Sequence, residues 1–295
     1  MSNAELIEKY VIGKIKFVGN DDFHLYEFPS GKRQASVTTK NVLEKPFLYD
    51  YSAKVAFEYL EKEGFSKINY SNRSNYLAGA QQARRDILNH SSDNIGTPAH
   101  NAIEKYLLEW IATKTLPSDI THFVTKKYLF DNTLNKEIDV TDPRVYASVR
   151  SAEKWLRKME HKIKPLFSEI RVGDERYSAG TVDFVFEFIE TGELYILDWK
   201  TSNYMSDDYA LQASAYAKFL EHMIGVKVGA FVAHLSKDKD EYEIYEVKNI
   251  NKNYSAFKHM SKVYDWIQSS FDKLKKDITI YDTTGKKHTK SIRKC

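Results

Sequence analysis

Gly180-Thr181-Val182-Asp183-Phe184-Val185-Phe186 and Leu194-Tyr195-Ile196-Leu197-Asp198-Trp199-Lys200-Thr201 are the stretches whose reading decides the fold. Both are rich in Val, Ile, Phe and Tyr, residues that suit a pleated, half-buried surface. Glu190-Thr191-Gly192-Glu193 between them carries a turn glycine, and the two runs read as a hairpin. Core strands avoid charge, yet both of these carry it. Side chains alternate across a sheet, which puts Asp198 and Lys200 on one face and Trp199 on the other. Pairing through the turn can bring Asp183 near Asp198. Two carboxylates and an ammonium at one end of a hairpin make a divalent-metal site with a resident cation. Mg²⁺ and Mn²⁺ are hard ions that take oxygen ligands. Such an ion activates water and neutralises charge growing on a phosphodiester. A lysine beside it can orient or deprotonate the water, or stabilise the transition state. The plainer alternative is an edge hairpin with a surface Asp–Lys pair, because Asp-x-Lys alone is a short motif.

Upstream, Thr97-Pro98 opens a helix, with Thr as N-cap and Pro in the first turn. His100 and Glu104 are four apart and share a face of it, beside the apolar stripe of Ile103 and Leu107. A lone helix histidine is more often structural. Neutral imidazole is also a common metal ligand, and Glu104 can orient one of its ring nitrogens. Asp142-Pro143 caps a second helix through about Lys162, its apolar side carrying Val145, Val149, Ala152, Trp155, Leu156 and Met159. Pro165 is expected to end it. Leu166–Val172 reads as the strand before the hairpin, with Glu169 among apolar residues.

Downstream, a helix from about Tyr209 to His222 places Gln212 and Tyr216 on one face. Lys227–Leu235 and Glu241–Val247 read as antiparallel strands, and Tyr254–Lys275 as a long amphipathic helix. Residues 4–40 read as short strands with turns at Gly19–Asp22 and Pro29–Gly31. Helices are expected over 45–63 and about 74–88, the second carrying Arg84 and Arg85. These arginines are ordinary exposed helix residues or phosphate contacts. The expected division is 1–95, a β lead-in and helical region packed on the core; 96–276, the core; and 277–295, a basic tail. The fold class is α/β, a central mixed sheet flanked by helices.

Composition excludes several classes. The 295 residues are 42% hydrophobic and 29% charged, which is ordinary for a globular chain. No apolar run approaches a membrane span, and Met1–Tyr10 lacks the pattern of a signal peptide. Cys295 is the only cysteine, which rules out disulfides and cysteine-held zinc or iron–sulfur sites. No Gly-rich phosphate loop ending in Gly-Lys-Ser/Thr occurs, so no nucleotide cofactor is expected. Net charge is +3, but Lys273–Cys295 alone carries eight Lys or Arg against Asp277 and Asp282, a local +6. Such a tail contacts a polyanion or is a solvated charge run. The 20 Tyr and 16 Phe are enough for a core, and exposed ones could stack on bases.

Taken in order, Gly96-Thr97-Pro98-Ala99-His100 with Glu104, then Glu169, Gly180-Thr181-Val182-Asp183, Leu197-Asp198-Trp199-Lys200-Thr201, and Gln212 with Tyr216 resemble the PD-(D/E)XK nuclease superfamily, in its RecB-like exonuclease branch. The lead-in, Val37-Thr38-Thr39 followed by Lys45-Pro46-Phe47-Leu48 and Tyr51-Ser52-Ala53-Lys54, is similar to that of stand-alone phage exonucleases. The mitochondrial genome-maintenance exonuclease is a related form. The resemblance implies a restriction-endonuclease-like core with an N-terminal β and helical addition. It implies that His100, Asp183, Asp198 and the Trp199 main-chain carbonyl hold Mg²⁺ or Mn²⁺. Lys200 is then the catalytic lysine, acting with Asp198 and Asp183. Gln212, Tyr216, Glu104 and Glu169 support them, Glu169 as an upstream acid near the metal. Val182 stands where the family name has Pro, and Asp198 where Asp or Glu is allowed. Four-cysteine clusters found in some relatives cannot form here. The implied activity is metal-dependent DNA exonuclease, acting on linear single-stranded or end-containing DNA to give 5′-phosphate products. A structure- or site-specific endonuclease and a non-catalytic nucleic-acid binder are the alternatives. DNA is the expected partner, through Arg84, Arg85, Arg171, Lys286 and Lys287, with a recombination or replication protein as a further one. Phage or bacterial recombination and repair fit, and a cytoplasmic location, in the bacterial host for a phage protein, is expected.

Overall fold

A computed structural model describes residues 1–19, 24–40, 95–131, 136–139, 141–202, 204–277, 280–281 and 287–288. The helices expected over 45–63 and 74–88, Arg84, Arg85 and Lys286 lie outside these residues.

The chain opens with α1 (Asn3–Tyr10), where the sequence pattern points to strands. Ser2 and Glu5 form a reciprocal capping box: the Ser2 side chain accepts from the Glu5 N–H and Glu5 accepts from the Ser2 N–H. The box and buried Ile7 outweigh the short length of this helix. The expected β lead-in follows as β1 (Lys16–Phe17), β2 (Leu25–Glu27) and β3 (Arg33–Ala35), an antiparallel three-stranded sheet. Val37-Thr38 is not a continuation of β3; it starts the single turn α2 (Val37–Lys40), where Ser36 Oγ accepts from the Thr39 N–H.

Next come α3 (Gly96–Thr113), a 3₁₀ turn (Ile120–Phe123) and the hairpin β4 (Tyr128–Asp131) and β5 (Lys136–Asp139). The helix α4 (Pro143–Met159) is capped by Asp142, whose carboxylate accepts from the Arg144 N–H at 2.9 Å. Strands β6 (Ile163–Asp174), β7 (Ser178–Phe188) and β8 (Leu194–Lys200) follow, then α5 (Asp207–Ile224), β9 (Val228–Leu235), β10 (Tyr242–Glu246) and α6 (Ile250–Asp277). Within the tail, β11 (Ile280–Tyr281) pairs with β12 (Lys287–His288).

The central sheet has the order β10-β9-β8-β7-β6. Only β8 and β9 are parallel; α5 makes the crossover that this requires. The other pairs are antiparallel. The mixed sheet lies between two helical layers, as the sequence predicts. One layer packs Val172, Val185 and Ile196 against Ala213 and Phe219 of α5 and Phe257 of α6. The other packs Phe184, Phe186, Leu197 and Trp199 against Ile103 and Leu107 of α3 and Val149 and Leu156 of α4. Burying each such side chain contributes about 1.5–3 kcal/mol. Truncating one of the phenylalanines to Ala costs about 3–5 kcal/mol.

Pro165 does not end α4. It lies inside β6, opposite Phe186, with a one-residue register shift before Phe167. β6 is an edge strand, where a residue without an N–H need not break the ladder. Thr97 is not the N-cap of α3 either: the cap position is Ile95, and Thr97 and Pro98 fall in the first turn. Ile95 is fully buried, and a Cβ on Gly96 would lie 3.3 Å from Thr201 Oγ1. Close approach to the end of β8 sets where this helix starts.

Candidate metal centre and active site

The β7–β8 ladder is regular from Glu187↔Leu194 to Phe184↔Leu197 and ends there. One step further in the same register lie Asp183 and Asp198. The strands part at this point, and the Trp199 N–H donates instead to Asp183 Oδ2 at 2.7 Å. The split leaves two carboxylates at the end of a hairpin, flanked by the buried apolar side chains of Val182, Phe184, Leu197 and Trp199. The Trp199 indole points into the core, 1% exposed, with its ring 5.7 Å from that of Trp155.

Three elements add to the split. From α3, His100 places Nδ1 3.7 Å from Asp183 Oδ1. From β6, Glu169 lies between the register pairs Ser168↔Phe184 and Ile170↔Val182, across from Asp183. Its φ is +52°, a left-handed value in the middle of a strand. Ligand atoms of His100, Glu169 and Asp183 all lie within 4.8 Å of one another. From α5, Gln212 Nε2 donates to Asp198 Oδ1 at 3.3 Å and to Tyr216 Oη at 3.1 Å. The Tyr216 ring sits against Gly180, where an added Cβ would come within 2.4 Å of it. Glycine in the strand is what lets Tyr216 reach this position.

Lys200 Nζ is 2.6 Å from Asp198 Oδ2 and 5.0 Å from the Tyr209 ring centre. Lys200 is paired in register with His234 of β9. His234 Nε2 lies 2.6 Å from the Ser202 carbonyl oxygen and donates to it, tying down the loop after β8. Nothing in the sequence pattern marks His234, since the contact depends on the parallel register of two distant strands.

The crowding of charge is visible in the acid strengths. Burial pushes Glu169 up to about 8, helped by the Asp183 charge and opposed by His100. Burial also raises Asp198, to about 6, against the pull of Lys200. Asp183 is buried too, but His100, Lys200 and the Trp199 N–H outweigh that and hold it below the usual carboxylate range. Burial works against charge on His100 and Lys200, yet the nearby carboxylates raise both above their ordinary values. Acids crowded until Glu169 keeps its proton at neutral pH are relieved of that repulsion by a nearby cation. Two carboxylates and an imidazole in this space fit a divalent ion.

The structure thus brings together His100, Glu169 and Asp183, and beside them Asp198, Lys200, Gln212 and Tyr216. The weight falls differently from what the motifs alone suggest. Glu169, expected as a supporting acid, stands in the cluster with His100 and Asp183, while Asp198 faces Lys200. Glu104 sits one turn after His100; among the described residues it acts on the cluster through charge, raising Glu169, while the His100 Nδ1 side is taken by Asp183. Arg171 is exposed on β6, two residues beyond Glu169. Lys287 lies on β12.

The model of the PD-(D/E)XK nuclease superfamily matches residues 71–287. The chain belongs to this superfamily. The match spans α3, the β6–β8 meander and α5, the elements that build the split-strand site, and the superfamily is one of metal-dependent nucleases acting on DNA. No curated protein matches the chain. Among the described residues no helix is long and apolar enough to cross a membrane.

Proposed function

We propose that this nuclease is a Mg²⁺- or Mn²⁺-dependent DNA exonuclease that releases 5′-phosphate products. The observation that carries the reading is the convergence of His100, Glu169 and Asp183 beside the Asp198–Lys200 pair. His100, Glu169 and Asp183 would hold the metal, with Asp198 and the Trp199 carbonyl completing the set that the sequence resemblance implies. A bound divalent ion supplies positive charge to the scissile phosphate and acidifies a water.

The chain's own residues do the rest. Lys200 stays an ammonium at neutral pH and places its charge where the phosphate oxygens gain theirs. Asp198 holds that ammonium in place, and Gln212 and Tyr216 hold Asp198. Asp183, fixed by the Trp199 N–H, keeps one oxygen toward His100. Water adds to phosphorus, the P–O3′ bond breaks, the 3′ oxygen leaves with a proton, and the phosphate stays on the 5′ side. Exonuclease action is supported by the resemblance of His100 and of the lead-in segment to the RecB-like branch.

Digestion of end-labelled linear single- and double-stranded DNA beside closed circles, with Mg²⁺, Mn²⁺ or EDTA, tests the proposal. Metal-dependent loss of linear DNA with circles spared is expected. Lys200→Ala should lower turnover at least ~100-fold while DNA affinity holds. Cut circles would make the enzyme an endonuclease, and unchanged turnover in the variant would remove Lys200 from the mechanism.

A further inference from the structure

The first turn of α3 lies against the end of β8, beside the metal-ligand cluster and not part of it. Gly96 and His100 are four apart and share a face of α3, and Thr201 follows Lys200 directly. A Cβ on Gly96 would lie 3.3 Å from Thr201 Oγ1, so the hydroxyl sits against the backbone of that turn. Thr201 is only 8% exposed. Among the described residues its hydroxyl makes no hydrogen bond.

A helix begins with N–H groups that no carbonyl of its own can accept. The usual remedies are missing from this one. Ile95 at the cap position has no side-chain oxygen, and the first turn carries no acidic residue. Pro98 has no N–H, which leaves those of Gly96 and Thr97 as the donors. Thr97 is exposed and Gly96 half-buried, so a ligand can reach the turn from solvent. The aligned peptide dipoles add about half a positive charge. The buried hydroxyl is a second, independent sign that a ligand binds, because a polar group taken out of water is ordinarily paired. A ligand here accepts from N–H groups and a hydroxyl at once and gains from negative charge. Water meets the first condition only. A phosphate oxyanion meets both.

We propose that the Gly96-Thr97 turn and the Thr201 hydroxyl form a phosphate subsite separate from the metal-ligand cluster. Its occupant is the phosphate next to the one being cut, an assignment that rests on the nuclease reading above. Free phosphate shares the chemistry and is the other source. The test uses the full chain in EDTA at constant ionic strength, so that no metal holds the anion and nothing is cut. Inorganic phosphate binding is read from ³¹P NMR line broadening, and that of a labelled oligothymidylate 12-mer from fluorescence anisotropy. Thr201→Val removes the hydroxyl and keeps the shape. It should weaken both about tenfold, the worth of one hydrogen bond to a charged group. Thr201→Ser should restore both. The melting temperature of Thr201→Val should not fall, because the hydroxyl has no partner within the protein; a fall would mean that the fold uses it, and would overturn the proposal. Unchanged binding of both probes by Thr201→Val would overturn it too. A loss for inorganic phosphate alone would assign the subsite to free phosphate and overturn the substrate assignment. A parent that binds phosphate through Thr201 and cuts no DNA would leave the subsite standing and the nuclease reading fallen. A parent that cuts DNA while Thr201→Val binds both probes as the parent does would do the reverse.

Discussion

Glu169 occupies a backbone conformation that a side chain makes costly. A left-handed φ of +52° in a non-glycine residue stores about 1–3 kcal/mol. It persists because Ser168 and Ile170 on either side are held in register with Phe184 and Val182. Two expectations follow for the metal-free protein. Glu169→Gly should be more stable than Glu169→Ala by about 1 kcal/mol, read from urea melts in EDTA, because only glycine relieves the strain. Equal stabilities would mean that the backbone relaxes at no cost. The second concerns pH. A carboxyl held up to about 8, against its ordinary 4.5, binds more protons folded than unfolded between those values. Stability in EDTA must then fall as pH rises through that window. Glu169→Gln should flatten the fall and weaken Mn²⁺ binding in calorimetry; an unchanged slope would show that another group carries the proton. At this scale the sequence is legible where chemistry and spacing coincide: Asp183, Asp198 and Lys200 on a hairpin, His100 four residues before Glu104. It is not legible in where Glu169 and Asp198 lie, Glu169 beside His100 and Asp183 and Asp198 beside Lys200. That placement comes from a strand split and a left-handed residue, neither of which has a signature in residue type.

Among the elements, α4 shows how much a local signal can carry. Asp142 accepts from the Arg144 N–H and pairs with its guanidinium at 2.8 Å. The Arg144 bond holds the Asp142 carboxyl below its ordinary 3.8 in spite of partial burial. A depressed carboxyl stabilises the fold above about pH 4 and loses that contribution as pH falls through the lowered value. Asp142→Ala should cost about 1 kcal/mol at pH 7, with less difference from the parent in strong acid, measured by thermal melts. A constant difference down to pH 2 would mean that the loss is in packing and not in the charged cap. The Asp142-Pro143 cap is readable because both its partners are neighbours in sequence. The start of α3 is not, because Gly96 answers to Thr201, more than a hundred residues away. α1 is hidden although its Ser2–Glu5 box is local, since the turn-rich segment after it carries the stronger pattern, that of strands. Pro165 misleads because a proline stops a helix and is equally at home on a sheet edge.

Across the whole molecule, the N-terminal segment is fastened to the last long helix by one buried lysine. Lys40 is 1% exposed, and its ammonium donates to Gln34 Oε1 and to Asp265 Oδ1 of α6, each at 2.7 Å. Ser261, also on α6, lies 3.4 Å away and itself donates to the Tyr177 carbonyl beside β7. The β lead-in, the central sheet and α6 therefore meet at a single cation. The mixed sheet and its hairpin are legible from alternation and turn residues, but this pin is not: a lysine in a Thr-Thr-Lys run looks like surface, and its partner is 225 residues on. The two ends of the pair are unequal. Asp265 is half exposed and can turn to water when Lys40 is removed, so Lys40→Met should cost only about 1–3 kcal/mol. Asp265→Ala strands a buried ammonium and should cost about 3–5 kcal/mol. Burial lowers Lys40 below 10.5, and Asp265 opposes that. Without Asp265 the folded state sheds the proton more readily than the unfolded chain does. Stability of Asp265→Ala should therefore rise toward the parent's as pH is raised toward 10, where losing the proton removes the buried charge. Urea melts of both variants between pH 7 and 10 decide it. A larger loss from Lys40→Met, or an Asp265→Ala deficit that does not shrink with pH, would mean that Lys40 acts by filling space and not as a charged pin.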